Sequence, residues 1–116
     1  MITQLNPSNF ADWRNTAKAT AMPLVLDVRE PWELQTASIK PDGFTLLAIP
    51  MREVPARLAE LQQHGVGQPI ACLCHHGMRS LQVANFLHQS GFTQVVNVQG
   101  GIDAWSKQID TLVPLY

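Results

Sequence analysis

Apolar residues along this chain gather into short continuous runs, separated by segments in which they recur every three or four positions. That alternation predicts strands interleaved with helices. The runs at 24–28, 45–49, 70–74 and 94–98 have the length and near-continuous hydrophobicity of parallel strands covered on both faces. Residues 2–5 alternate polar and apolar instead, as an edge strand does. Asn6 before Pro7 predicts a capped helix with Phe10, Trp13 and Ala17 on one face. Pro31 is placed to open a short helix, and Val54, Leu58 and Leu61 predict another from 54 or 55 to about Gln63. A broader apolar face, Leu81, Val83, Ala84, Phe86 and Leu87, predicts a buried helix from about Arg79 to Ser90, closed by Gly91 and Phe92. Gly100-Gly101 turns the chain into a last helix with Ile102, Trp105 and Ile109 on one face. Residues 37–43, with the turn signal Pro41-Asp42-Gly43, form a loop.

Strands alternating with helices at this spacing call for an α/β fold: a central, mostly parallel sheet with helices on both faces, three layers in all. At 116 residues the chain fits one domain, 1–116, able to bury a core without disulfide or metal staples. In such sheets ligands bind beyond the carboxyl ends of the strands. The run at 70–74 ends there at Cys74, and the helix behind it starts within a few residues. Unpaired amides at that helix start, and the positive end of its dipole, would face a sulfur held at Cys74 and favour its anionic form.

Charge changes the picture locally rather than globally. Eight Lys and Arg against nine Asp and Glu leave a net charge of −1, which suggests neither a nucleic-acid nor a membrane surface. Between Glu60 and Asp103, however, there is no acidic residue, and Arg79 is the one permanent charge. His64, His75, His76 and His88 all fall in that span. The expectation is an anion-friendly loop, 74–80, in which Arg79 attracts substrate with no carboxylate to offset it. His64 and His88, beside helix ends, read as surface or capping residues.

The two cysteines differ in prospect. Cys72 and Cys74 share a face at different depths; Cys72 reads as a small core hydrophobe and Cys74 as a nucleophile. No metal site is expected. Cys72, Cys74, His75 and His76 crowd four ligands into five residues and cannot easily reach a tetrahedral arrangement. Neither a basic amino-terminal region with an apolar run nor a stretch of about 18 apolar residues occurs, so a cytoplasmic protein is expected. Cys-type phosphatases need five residues between the cysteine and an arginine that together hold a phosphate. Here four residues separate Cys74 from Arg79, and Ser80 occupies the later position. The shorter loop encloses less volume and suits a single sulfur atom.

The loop Cys74-His75-His76-Gly77-Met78-Arg79-Ser80 resembles the active-site loop of the rhodanese, or sulfurtransferase, family. Leu26-Asp27-Val28-Arg29-Glu30-Pro31-Trp32-Glu33 resembles that family's first motif, and Asn97-Val98-Gln99-Gly100-Gly101-Ile102-Asp103-Ala104-Trp105 its carboxyl-terminal motif. One departure is Ser38-Ile39-Lys40-Pro41-Asp42-Gly43, where family members often carry a His-Ile-Pro-Gly-Ala type segment that shapes the pocket rim. The resemblance implies a rhodanese-like fold and a sulfane sulfur moved from a donor such as thiosulfate to a thiophilic acceptor, through a persulfide on Cys74. It implies His75, His76, Gly77, Met78, Arg79 and Ser80 as the substrate-binding loop, and no cofactor. The partners would be a small anionic sulfur donor and a thiol, cyanide or protein acceptor. Asp27 and Arg29 are expected as a structural pair. The other reading is a binding or sulfur-relay module of the same fold with little turnover of its own.

Overall fold

The computed structural model describes residues 2–116. Five strands, β1 (Thr3–Leu5), β2 (Leu24–Asp27), β3 (Thr45–Ala48), β4 (Ile70–Leu73) and β5 (Val95–Val98), form one sheet in the order β1-β5-β4-β2-β3, and every pairing is parallel. The helices are α1 (Phe10–Lys18), α2 (Pro31–Thr36), α3 (Leu58–Gln62), α4 (Met78–Gln89) and α5 (Gly101–Gln108).

Period-two alternation sorts the strand side chains into two cores. Leu24, Leu26, Ile70, Cys72 and Cys74 pack with Val54, Leu61, Val83, Ala84 and Leu87 from the α3 and α4 side. Val25, Ala71, Leu73 and Val98 pack on the opposite face with Phe10, Phe44, Ile102 and Trp105, from the α1 and α5 side. Both faces of β2 and β4 are therefore buried, which is why these runs carry no solvent-facing polar residue to break them. The expected three-layer α/β architecture is what the chain adopts.

Three elements differ from the pattern along the chain. The run at 45–49, expected to be covered on both faces, is the edge strand β3, paired with β2 alone, with Thr45 and Ala48 exposed and Leu46 and Leu47 half-buried. Val54 and Leu61 are buried as expected, but the segment between them is largely turn: a 3-10 helix at Met51–Glu53 precedes it, and α3 starts only at Leu58. Pro55 lacks the amide a continuous helix would use, and the short connection leaves room for little more than one turn and a half. Ile109 does not extend the apolar face of α5; the helix ends at Gln108 and Ile109 is exposed.

From β2 the chain moves outward to β3, whereas from β4 it moves the other way to β5. Adjacent strands whose connections diverge leave a crevice at their carboxyl ends. The segment 74–77 after β4 and the segment 28–30 after β2 meet there.

Candidate active site

The loop after β4 is held from three directions. Gly77 adopts φ 99, a left-handed conformation that side chains rarely take, and turns the chain sharply into α4. Its Cα faces the start of α5, where an added Cβ would come 3.1 Å from the Gly100 nitrogen. The first amides of α5 are spent on the same loop: Ile102 donates to the Cys74 carbonyl at 2.8 Å and Asp103 to the His75 carbonyl at 3.1 Å. Gly101, φ 63, permits that approach, since a Cβ on it would lie 2.5 Å from the Cys74 carbonyl oxygen. The Gly100-Gly101 pair is thus a seat for the cysteine loop as well as a helix start.

Inside this frame the Cys74 sulfur receives three donors. The Gly77 amide lies 3.1 Å from Sγ, the Ser80 amide 3.3 Å and the Ser80 hydroxyl 3.2 Å. The two amides belong to the turn into α4 and its first turn, so the helix dipole adds to them. Cys74 itself is 1% exposed and sits on the floor of the loop. Around it, His75 is half-buried and His76 and Met78 are exposed. Cys72 lies one step deeper with no such donors, and burial pushes its thiol far up, with the Cys74 charge adding to the effect.

Ser80, expected in the binding loop, is held from behind by Asn97 of β5, which the pattern along the chain does not single out. Asn97 Nδ2 donates to the Gly77 carbonyl at 3.0 Å and to Gln4 Oε1 at 2.9 Å, which turns Oδ1 toward Ser80 Oγ, 2.5 Å away. The serine has one hydroxyl proton and two acceptors, Asn97 Oδ1 and Cys74 Sγ. With the sulfur protonated, S–H can point at the serine oxygen while the hydroxyl serves Asn97; with the sulfur ionised, the hydroxyl can turn to it. A lone amide in the apolar strand Val95-Val96-Asn97-Val98 was the available signal, because a polar group buried on a central strand needs a partner.

Electrostatics at the loop differ from the expectation of an unopposed arginine. Arg79 forms a two-pronged pair with Glu33 from α2, Nη1 to Oε1 at 2.6 Å and Nη2 to Oε2 at 2.8 Å. The carboxylate that cancels its charge lies 46 residues earlier, so the acid-free span between Glu60 and Asp103 could not reveal it. Glu33 is buried and serves as a hub. Oε1 also accepts the Glu30 amide, completing a capping box, and Oε2 accepts the Tyr116 hydroxyl at 2.7 Å. The Arg79 hydrogen bonds hold its carboxyl at about 2, against the opposing effect of burial.

Tyr116 links this hub to the expected pair. Arg29 binds Asp27 through Nε at 2.9 Å and Nη2 at 2.8 Å, wholly buried, and donates to the Tyr116 hydroxyl at 3.0 Å. The pair pins the carboxyl end of β2, and among the described residues neither member hydrogen-bonds to the cysteine loop. The Tyr116 ring lies parallel on His75, 3.9 Å between centroids, and Trp32 meets its edge. Burial, followed by the neighbouring His76, lowers the His75 pKa.

His75, His76 and Asp103 place a possible ligand atom each within 4.8 Å of one another. The two imidazole rings are stacked at 3.9 Å, so their nitrogens run side by side rather than converge on a point, and Asp103 is held by Lys107 at 3.0 Å. The geometry does not match a tetrahedral site. His64 and His88 lie outside the loop region, at the end of α3 and near the end of α4.

Comparison with known proteins places this arrangement among others. The rhodanese-like domain family model matches residues 7–108. A protein named adenylyltransferase and sulfurtransferase MOCS3-1 from Zea mays is 34% identical over 93 residues, which is 80% of this chain and 20% of that protein. A sulfurtransferase from Allochromatium vinosum is 34% identical over 84 residues, 72% of each chain. Among solved structures, a rhodanese-related protein from Thermoplasma volcanium superposes with a TM-score of 0.74 at 30% identity, covering 98% of this chain and 99% of that one. The chain therefore spans about a fifth of the length of the maize relative and most of the length of the shorter ones.

Proposed function

The chain belongs to the rhodanese-like domain family, a transferase fold whose matched relatives carry sulfurtransferase names, and from that premise we propose that it moves a sulfane sulfur through a persulfide on Cys74. The observation that carries the reading is the convergence of two amides and one hydroxyl on a single sulfur.

In the first half-reaction the Cys74 thiolate attacks the outer sulfur of a donor. With thiosulfate the S–S bond of the donor breaks, sulfite leaves with the electron pair, and Cys74–S–S⁻ remains. In the second, an acceptor such as cyanide or a thiolate attacks the terminal sulfur and Cys74 leaves as thiolate. Each intermediate keeps negative charge on sulfur within the loop 74–80. Oriented amides stabilise it there without reorganising, as an oxyanion hole does. His75, Gly77 and Ser80 stand nearest that sulfur in the loop, with His76 and Met78 exposed at its outer edge. Arg79 acts chiefly by tying the start of α4 to α2, since its charge is already matched by Glu33. A thiol on another protein is an acceptor in keeping with the sulfurtransferase domains of longer relatives.

Intact mass spectrometry after exposure to thiosulfate tests the proposal: the wild-type chain gains one sulfur atom, and Cys74→Ser does not. Addition of cyanide then removes that sulfur as thiocyanate. A wild-type mass that stays unmodified with thiosulfate and with organic persulfides alike would sink the proposal.

A further inference from the structure

Resting on the sulfur-transfer reading, we propose that Glu33 is a specificity-determining residue that turns the site away from doubly charged inorganic donors and toward sulfane sulfur carried on an organic thiol, R–S–SH. The loop would attract a thiosulfate dianion most strongly through a cation with charge to spare. Arg79 has none, because the bidentate pair with Glu33 matches its charge and takes one N–H from each terminal nitrogen. The same holds along this end of the sheet. Arg29 is fully buried against Asp27, Arg52 is paired with Glu30, and Arg57 with Glu53 and Glu60. His75, half-buried between the Tyr116 and His76 rings, is disfavoured in its charged form. What remains for a negative sulfur is the set of neutral donors from Gly77 and Ser80. That set suits one developing charge on one atom and offers nothing for a separate sulfonate.

The surroundings of the loop fit an organic donor. Met78 is 71% exposed at the start of α4, and Trp32, 63% exposed, stands against Tyr116, which itself covers His75. This rim presents apolar and aromatic surface to whatever carries the sulfur. Glu33 is fixed from four sides, by Arg79, Tyr116, the Glu30 amide and its own helix, so the neutralisation is built in rather than incidental. The step itself balances: the Cys74 thiolate attacks the outer sulfur of R–S–SH, the S–S bond of the donor breaks, R–S⁻ leaves, and the proton stays with the transferred sulfur until the persulfide ionises.

The test is single-turnover persulfidation of Cys74, read by rapid-quench intact mass, with thiosulfate and with 2-hydroxyethyl persulfide, whose organic part is uncharged. Both donors are used on the wild type and on Glu33→Gln, and the ratio of the two rates is compared so that any loss of folded protein cancels. Releasing Arg79 from its partner raises the thiosulfate-to-persulfide ratio about tenfold. A second measurement needs only the wild type: its thiosulfate rate changes less than about twofold between low and high ionic strength, because no net cation steers the dianion. A ratio that stays level or falls in Glu33→Gln, or a wild-type thiosulfate rate that drops steeply with salt, overturns the assignment of Glu33. If neither donor adds sulfur to Cys74, the sulfur-transfer reading fails as a whole.

Discussion

Cys72 and Cys74 are two residues apart, face the same side of the sheet and are both buried, yet their surroundings differ completely. Cys72 lies within β4 among Leu26, Ile70 and other core side chains, its backbone groups used by the sheet and its sulfur without a polar donor. Cys74 lies just past the strand, where the backbone bends and three donors meet its sulfur. Burial alone disfavours a thiolate; burial with oriented donors supports one. What separates the two sulfurs is therefore not exposure but the donors each one meets.

The sharpest way to break this comparison is to exchange the two positions chemically. Cys74→Ser should lower sulfur transfer by at least about a thousandfold while the fold, followed by circular dichroism, is kept. Residual transfer in that variant through Cys72 would show that the comparison misassigns the nucleophile. Next in size is Gly101→Ala. Its Cβ would meet the Cys74 and His75 carbonyls, so the loop must shift, and transfer should fall about a hundredfold with a loss of roughly 2–4 kcal/mol in stability by urea unfolding. A substitution outside the loop that spoils Cys74 while sparing Cys72 would sharpen the contrast directly.

Asn97→Ala removes the acceptor of the Ser80 hydroxyl and the hold on the Gly77 carbonyl. The first half-reaction should slow about tenfold, and Asn97→Asp, which retains an acceptor for Ser80 but has neither amide hydrogen for Gly77 and Gln4, should recover only part of the rate. The smallest effect on turnover belongs to Cys72→Ser: transfer within about twofold of wild type, with about 1–3 kcal/mol lost because a hydroxyl without a partner is buried in the core. A large fall in turnover there would give Cys72 a chemical role after all.

The Glu33–Arg79 pair adds a pH dependence that neither cysteine supplies. The Glu33 carboxyl titrates at about 2 in the folded chain, against about 4.5 unfolded, so the folded state binds the proton more weakly. Its contribution, on the order of 2 kcal/mol, is present above about pH 4.5 and is lost as the pH falls toward 2. Urea midpoints measured from pH 6 down to pH 2 should decline more steeply for the wild type than for Glu33→Gln.

Much of this was legible in one dimension. Short apolar runs, set against recurrence every three or four residues, located the strands, and the position of Cys74 at the end of a buried run before a helix marked it as the candidate nucleophile. The local signals work because strand burial and helix starts are properties of neighbouring residues. The core role of Cys72 and the pairing of Asp27 with Arg29 followed from the same short-range logic, as residues two apart share a face.

What the sequence could not decide is which distant groups share the crevice between β2 and β4. Glu33, Tyr116 and Asn97 reach the loop from other elements, across sequence separations of 46, 83 and 17 residues in the contacts that join them. Arg79 read along the chain is an isolated cation; read in the fold it is half of a neutral pair. Charge compensation acts through space over a few ångströms, and only the packing of α2 against the start of α4 sets that distance.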